Sequence, residues 1–180
     1  MNASMDEITC NNCGQPAHIE RGDFPFIRQE GLNVHLYDLD LVVCQACGNV
    51  DPVIPRLNDL MRTIAAAIVS KPYRLTGAEV RFLRKHLEMT GDACSRLLHV
   101  DKTTLSKWEN NEDPIGEQSD LLIRSIVLLA DEKVRRKMAA GPEESFAAVK
   151  EARRTMPINI DPRTADFGYA NAAGLVPAFI

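Results

Sequence analysis

Four cysteines at two identical spacings, Cys10/Cys13 and Cys44/Cys47, constrain this chain more than any other feature. A Cys-x-x-Cys pair is a tight turn that aims two sulfurs at one point. Two such turns supply four sulfurs in a tetrahedron, the closed shell by which zinc holds a small fold together. Thirty residues separate Cys13 from Cys44, room for a β-hairpin or two. Iron in the same cage, two disulfides or a redox dithiol are the competing readings. A redox pair would sit ahead of a helix in a βαβ unit and needs no twin. His18 or His35 is the reserve ligand if the four thiolates do not converge. The fifth cysteine, Cys94, lies in an apolar helical pattern and reads as a small buried hydrophobe.

The chain has 180 residues, enough for one large or two small domains. It holds no apolar run near the length of a membrane span. Its start lacks the basic-then-apolar pattern of a signal peptide, so a cytoplasmic location is expected. A reducing cytosol favours metal over disulfides. Residues 1–70 carry four basic and nine acidic side chains, whereas residues 71–130 carry nine of each. Residues 131–155 carry seven basic and five acidic side chains. The acidic first third is therefore a poor nucleic-acid surface and suits a basic protein partner.

Residues 1–55 read as strand and turn. Residues 33–43 alternate apolar and polar side chains, as a half-buried strand does, and lead into the second cysteine pair. Residues 56–72 read as a helix with Leu57, Leu60, Met61, Ile64 and Ile68 at helical spacing. Lys71-Pro72 stops it. Residues 73–130 are short helices with clear punctuation. Thr76-Gly77-Ala78-Glu79 is a capping box, with Leu75 and Val80 as its staple. Val80, Leu83 and Leu87 share one face of the helix that follows. Thr90 caps a second helix ending near Leu98, and His99-Val100 is a tight turn. Asp101 caps a third helix, Lys102 to about Glu109, which Asn110-Asn111 ends. Pro114 precedes a long apolar helix over Leu121 to Ala130.

Two short helices joined by a few residues, the second with a polar face, make a helix-turn-helix. Leu105 and Trp108 point inward on that second helix, while Lys102, Thr103, Ser106 and Lys107 point outward. In a major groove, lysine can donate to guanine O6/N7 and threonine can touch a base edge or a thymine methyl. The competing reading is a plain helical bundle with a solvated face.

The stretch Met89 to Asn110 resembles the Cro/C1-repressor helix-turn-helix, and Leu105-Ser106-Lys107-Trp108-Glu109-Asn110 is its most specific part. Two cysteine pairs, a helix, Leu-Thr-x-x-Glu-x-x-x-Leu-Arg and then this motif are together similar to the MqsA/YgiT-type zinc antitoxin family. The similarity covers about residues 8–130. The resemblance implies one structural zinc on Cys10, Cys13, Cys44 and Cys47, and a zinc domain that binds a small basic ribonuclease toxin. It also implies a C-terminal domain that dimerises and binds operator DNA. The family's base-contacting positions fall on Thr103 and Lys107, and related repressors add the position of Lys102. His99 stands where the family carries a turn glycine, and Gly91 where it carries a phosphate-contacting glutamine. Residues 131–180 have no counterpart in the short antitoxins.

Past Ala130, Val134, Met138, Phe146, Val149 and Ala152 suggest further helix, with Pro142 at a helix start. Lys133, Arg135, Arg136 and Lys137 form a basic cluster on it that reads as a solvated face, with contact to phosphate as the alternative. Residues 156–180 are aperiodic. Phe167, Tyr169, Leu175, Val176, Phe179 and Ile180 make them apolar enough to dock on a dimer mate or partner, unless they are a flexible end. His18, His35, His86 and His99 lie far apart and form no catalytic pattern. The expected fold is α+β. A small zinc-binding β domain with four cysteine ligands (1–55) leads through a connecting helix and hinge (56–72) to an all-α Cro/C1-like helix-turn-helix domain (73–130). Extra C-terminal helices and a tail follow (131–180). The expected function is a homodimeric, autorepressing antitoxin. The alternatives are a stand-alone regulator and a zinc-stabilised protein-interaction adaptor.

Overall fold

A computed structural model describes residues 8–26, 31–136, 150–153, 158–160, 170–171 and 174–175. The protein is mixed α and β. Strands β1 (His18–Pro25), β2 (Val34–Val43) and β3 (Val50–Pro52) form a small antiparallel sheet with β2 in the middle. Val34, Leu36, Leu39 and Leu41 of β2 are buried. The inward period therefore slips by one residue between Leu36 and Leu39. Asp38 takes a φ of 49° at the slip, and its N–H donates to Asp23 Oδ1 at 3.1 Å. The regular alternation expected over 33–43 thus contains a β-bulge, which keeps both halves of the strand on the core.

The chain continues through α1 (Leu57–Ser70), β4 (Tyr73–Arg74), α2 (Gly77–His86), α3 (Gly91–Leu97), α4 (Lys102–Glu109), α5 (Glu117–Ala130) and α6 (Glu132–Arg136). The capping box of α2 is present, with Thr76 accepting from the Glu79 N–H and Glu79 reaching back. Thr90 caps α3 through the Ala93 N–H at 3.1 Å. Asp101 stands at the N-cap of α4, but its side chain accepts no capping hydrogen bond. Asn111 ends that segment with a φ of 59°.

The connecting helix α1 is an integral part of the helical layer. Leu60, Ile64, Ala65, Ala66, Ile68 and Val69 are buried, and the helix touches α2, α5 and α6. Leu57 is half exposed, so the buried stripe is turned away from the expected first position. Arg62 of α1 donates to Asp131 Oδ2 at 3.1 Å, and His86 of α2 lies 3.4 Å from the same oxygen. Burial holds the His86 pKa below its ordinary value, against the pull of Asp131. One core of buried side chains runs from Leu32, just ahead of β2, through the sheet, α1, α2 and α5 to Ile160.

The helical extension expected for 131–155 is present at its start, in α6, and is replaced by strand at 150–153; residues 137–149 lie outside the described residues. The described part of α6 is Glu132–Arg136, and the next described element is strand β5 (Lys150–Arg153). It pairs parallel with β4. Strand β6 (Ile158–Ile160) pairs parallel with the start of β2, and Ile158 and Ile160 enter the core. Two-residue strands β7 (Ala170–Asn171) and β8 (Gly174–Leu175) extend that edge. Unpaired backbone at the edges of β2 and β4 offers hydrogen bonds that local helix propensity does not register. Lys137, Met138, Pro142, Phe146, Val149, Phe167, Tyr169, Val176, Phe179 and Ile180 lie outside the described residues. No helix among the described residues is long and apolar enough to cross a membrane.

His99 holds a φ of 53° in the α3–α4 turn and is exposed. An L-residue is strained there and glycine is not. His99→Gly is therefore expected to stabilise the protein by about 0.5–1 kcal/mol, the strain relief being partly offset by glycine's unfolded-state entropy. A urea titration measures it, and a lower midpoint would contradict the strain.

Candidate metal centre and helical face

The sheet register explains how distant cysteines meet. His18 pairs with Val43, which sets the start of β1 beside the end of β2. The first cysteine turn precedes β1 and the second follows β2, so both stand at one end of the sheet. The turns are built alike. The Cys10 N–H donates to Gln15 O and the Gly14 N–H to Cys10 O, each at 2.8 Å. The Cys44 N–H donates to Asn49 O and the Gly48 N–H to Cys44 O, each at 2.9 Å. Gly14 and Gly48 both take a φ of 71°, the left-handed conformation that closes the turn.

The four sulfurs lie within 4.8 Å of one another. Cys10 Sγ is 3.6 Å from Cys47 Sγ, and Cys13 Sγ is 3.6 Å from Cys44 Sγ. A tetrahedron of thiolates about 2.3 Å from a central ion has edges of about 3.8 Å. The spacing fits one ion. It is far too long for a disulfide, and all four thiols are free. Cys10 and Cys44 are buried while Cys13 and Cys47 face solvent. The Asn12 side-chain amide sits 3.7 Å from Cys47 Sγ. The Asn49 N–H, the Asn12 amide and Cys13 lower the Cys47 pKa to about 6. The Gln15 N–H lowers that of Cys13, but its sulfur neighbours, Cys47 first, and partial desolvation push it up to about 12. Four thiols this close do not all ionise together without a cation. Neither reserve histidine joins them: His18 Nε2 bonds Glu20 Oε1 at 2.6 Å, and His35 Nε2 bonds Asn33 Oδ1 at 3.0 Å.

The second candidate surface is α4. Leu105 and Trp108 are buried, and Lys102, Thr103, Ser106 and Lys107 are exposed. The C-terminal end of α4 is pinned to α2. A Cβ on Gly77 would lie 2.3 Å from Trp108 O, and the Gly77 N–H donates to Asn111 Oδ1 at 2.8 Å. Arg84 donates from Nε and Nη2 to the Glu109 carboxylate at 2.6 and 3.0 Å, and Arg81 Nη2 reaches Asn110 Oδ1 at 2.7 Å. Glu109 was not a sequence candidate. Its signal was there: a carboxylate in the last turn of a helix opposes the macrodipole and implies a fixed cation. Lys102 Nζ lies 2.6 Å from Asp92 Oδ1, and Lys107 Nζ 3.6 Å from Asp113 Oδ2. Burial raises the Cys94 pKa to about 11, which suits the expected inert hydrophobe. No family model, curated protein or solved structure matches the chain.

Proposed function

We propose that this protein is a zinc-stabilised, homodimeric transcriptional regulator that binds operator DNA through α4, and that it is the antitoxin of a toxin–antitoxin pair. The observation that carries the reading is the α3–α4 pair. Two short helices joined by a tight turn present Lys102, Thr103, Ser106 and Lys107 on an exposed face above a buried Leu105 and Trp108. These side chains have the donors, acceptors and methyl groups that read base edges. Zinc is the ion that a closed set of four thiolates holds most readily in a structural role. The toxin part rests on the family resemblance and on the acidic first 70 residues, which favour encounter with a basic partner.

A gel shift with the DNA upstream of the protein's own gene tests the reading. Lys107→Ala and Thr103→Ala are each expected to weaken specific binding by ~1–3 kcal/mol, with little change on unrelated DNA. Equal weakening on all sequences would make Lys107 a phosphate contact and rotate the recognition face. A dimer reads half-sites about 34 Å apart, and footprints at that spacing support it. The surface for a second copy is the exposed stripe of α5, where Leu122 is 39% and Leu129 81% exposed. Leu129→Glu should give a folded monomer with at least tenfold weaker operator binding, read by sedimentation and gel shift; an unchanged dimer moves the interface elsewhere. Asp92 and Asp113 beside the two lysines favour the adaptor as second reading. The absence of any upstream-DNA shift would select it. Co-expression with the adjacent gene separates antitoxin from stand-alone regulator: a harmless neighbour leaves no toxin to neutralise.

A further inference from the structure

Asp92 stands in the first turn of α3 and bridges the two helices of the pair. Its Oδ2 accepts from Arg96 Nη1 at 2.6 Å, and its Oδ1 lies 2.6 Å from Lys102 Nζ at the start of α4. Arg96 and Lys102 are 72% and 69% exposed, so neither ion pair adds much to folding. Two oxygens gripping two basic side chains is also how a backbone phosphate would sit there. Apart from the pinned Glu109, residues 91–113 carry three cations, Arg96, Lys102 and Lys107, against four carboxylates, Asp92, Asp101, Glu112 and Asp113. Non-specific DNA affinity grows with the phosphates that can be neutralised, and this segment has no net positive charge.

Resting on the DNA-binding reading, we propose that Asp92 is an internal stand-in for a DNA phosphate and thereby a specificity-determining residue. Off DNA it neutralises and orders Arg96 and Lys102. On any duplex it must yield both to the backbone while its own charge repels that backbone. Base-edge contacts by α4 can offset that repulsion on the operator, but nothing offsets it on unrelated sequence. The carboxylate therefore widens the gap between operator and non-operator binding.

Fluorescence anisotropy tests this with a random-sequence duplex and with a duplex from upstream of the gene, from about 50 to about 200 mM salt. Asp92→Asn should bind the random duplex about three- to tenfold tighter, with a salt slope steeper by about one. The upstream duplex should gain less, so the specificity ratio falls. Glu20→Gln, the same charge change on β1, should move random-duplex binding less than about twofold, since a distant exposed charge is screened. In an Arg96→Ala/Lys102→Ala background, Asp92→Asn should also gain less than about twofold, since its partners are gone. Unchanged random-duplex binding by Asp92→Asn, or an equal gain from Glu20→Gln, overturns the proposal while leaving DNA binding intact. Wild-type protein that binds neither duplex overturns the DNA-binding reading itself.

Discussion

Arg124→Met is expected to destabilise the protein by about 3–5 kcal/mol, a large share of the stability of an ordinary domain. Arg124 is completely buried in the middle of α5, and Asp120, one turn before it, is 1% exposed. The guanidinium donates from Nε to both Asp120 oxygens at 3.0 and 3.2 Å. Its Nη1 reaches Val69 O at 2.8 Å and Lys71 O at 2.7 Å, and its Nη2 reaches Tyr73 O at 2.7 Å. Those carbonyls are the open C-terminal end of α1 and the start of β4, groups that the helix itself cannot satisfy. One side chain therefore caps α1, fixes the 71–75 corner and neutralises a buried carboxylate. Methionine matches much of the volume and none of the donors. The uncompensated Asp120 charge dominates the loss, because a buried carboxylate without its cation bears the full desolvation penalty. Arg124→Met/Asp120→Leu should recover part of the loss but not all, since the α1 carbonyls remain without donors. Urea titration of both variants measures this. An Arg124→Met protein with a wild-type midpoint would show that water or rearrangement replaces the clamp.

A second buried pair lies at the same corner. Lys71 and Glu79 meet in an ion pair with both side chains at least 95% out of solvent. Desolvation lowers the Lys71 pKa, against the pull of Glu79. Glu79 also accepts the Thr76 N–H at 2.6 Å. The sequence pattern showed Thr76 and Glu79 as a cap, because a capping box is a local signal. It did not show Lys71, because a cation eight residues away finds the carboxylate only after the chain turns. Arg124 was hidden for a related reason. It interrupts the apolar run of α5 at a core position, and a lone charge there is read as an exposed residue unless its partners are known. Asp120 at the i−4 position was the available hint.

The legible parts were those with short-range causes. The cysteine spacing determined a four-sulfur cluster, because Cys-x-x-Cys closes as a turn whatever surrounds it. The inward Leu105 and Trp108 followed from the helical period. The bulge at Asp38 was missed because Val34, Leu36, Leu39 and Leu41 look alternating until the odd spacing between Leu36 and Leu39 is counted. The C-terminal strands were missed because β5 and β6 form on edges supplied by β4 and β2, more than 70 residues earlier in the chain. Lys150-Glu151-Ala152-Arg153 carries little strand signal of its own, and Ile158-Asn159-Ile160 is too short to establish a period.

With zinc as the ion proposed for the four-cysteine site, Cys44→Ser is expected to abolish binding of one equivalent of it and to unravel that end of the sheet. Cys44 is 1% exposed and its sulfur faces that of Cys13 at 3.6 Å, so serine leaves three thiolates and a poor ligand. Structural zinc in small domains supplies apparent binding energies of about 10–16 kcal/mol, and where no other core exists its loss is unfolding. This sheet has two unlike ends. At the cysteine end, β3 is three residues long and the turns bury little but the sulfurs. At the other end, Val34 and Leu36 share a core with the helices and with Ile158 and Ile160. Metal loss should therefore act unevenly. In hydrogen exchange, the amides of Cys10, Gly14, Ala17, Cys44 and Gly48 should lose protection in Cys44→Ser or on chelation. The β2 amides near Leu36 and the helices α1, α2 and α5 should keep most of theirs. If α4 is the DNA-binding element, upstream-DNA affinity should then fall less than about threefold, because Gly77, Arg81 and Arg84 hold α4 without help from the metal end. Purified wild-type protein with less than about half an equivalent of zinc would remove zinc from the account. Uniform loss of protection through the helices would show that the metal end and the helical layer melt as one unit.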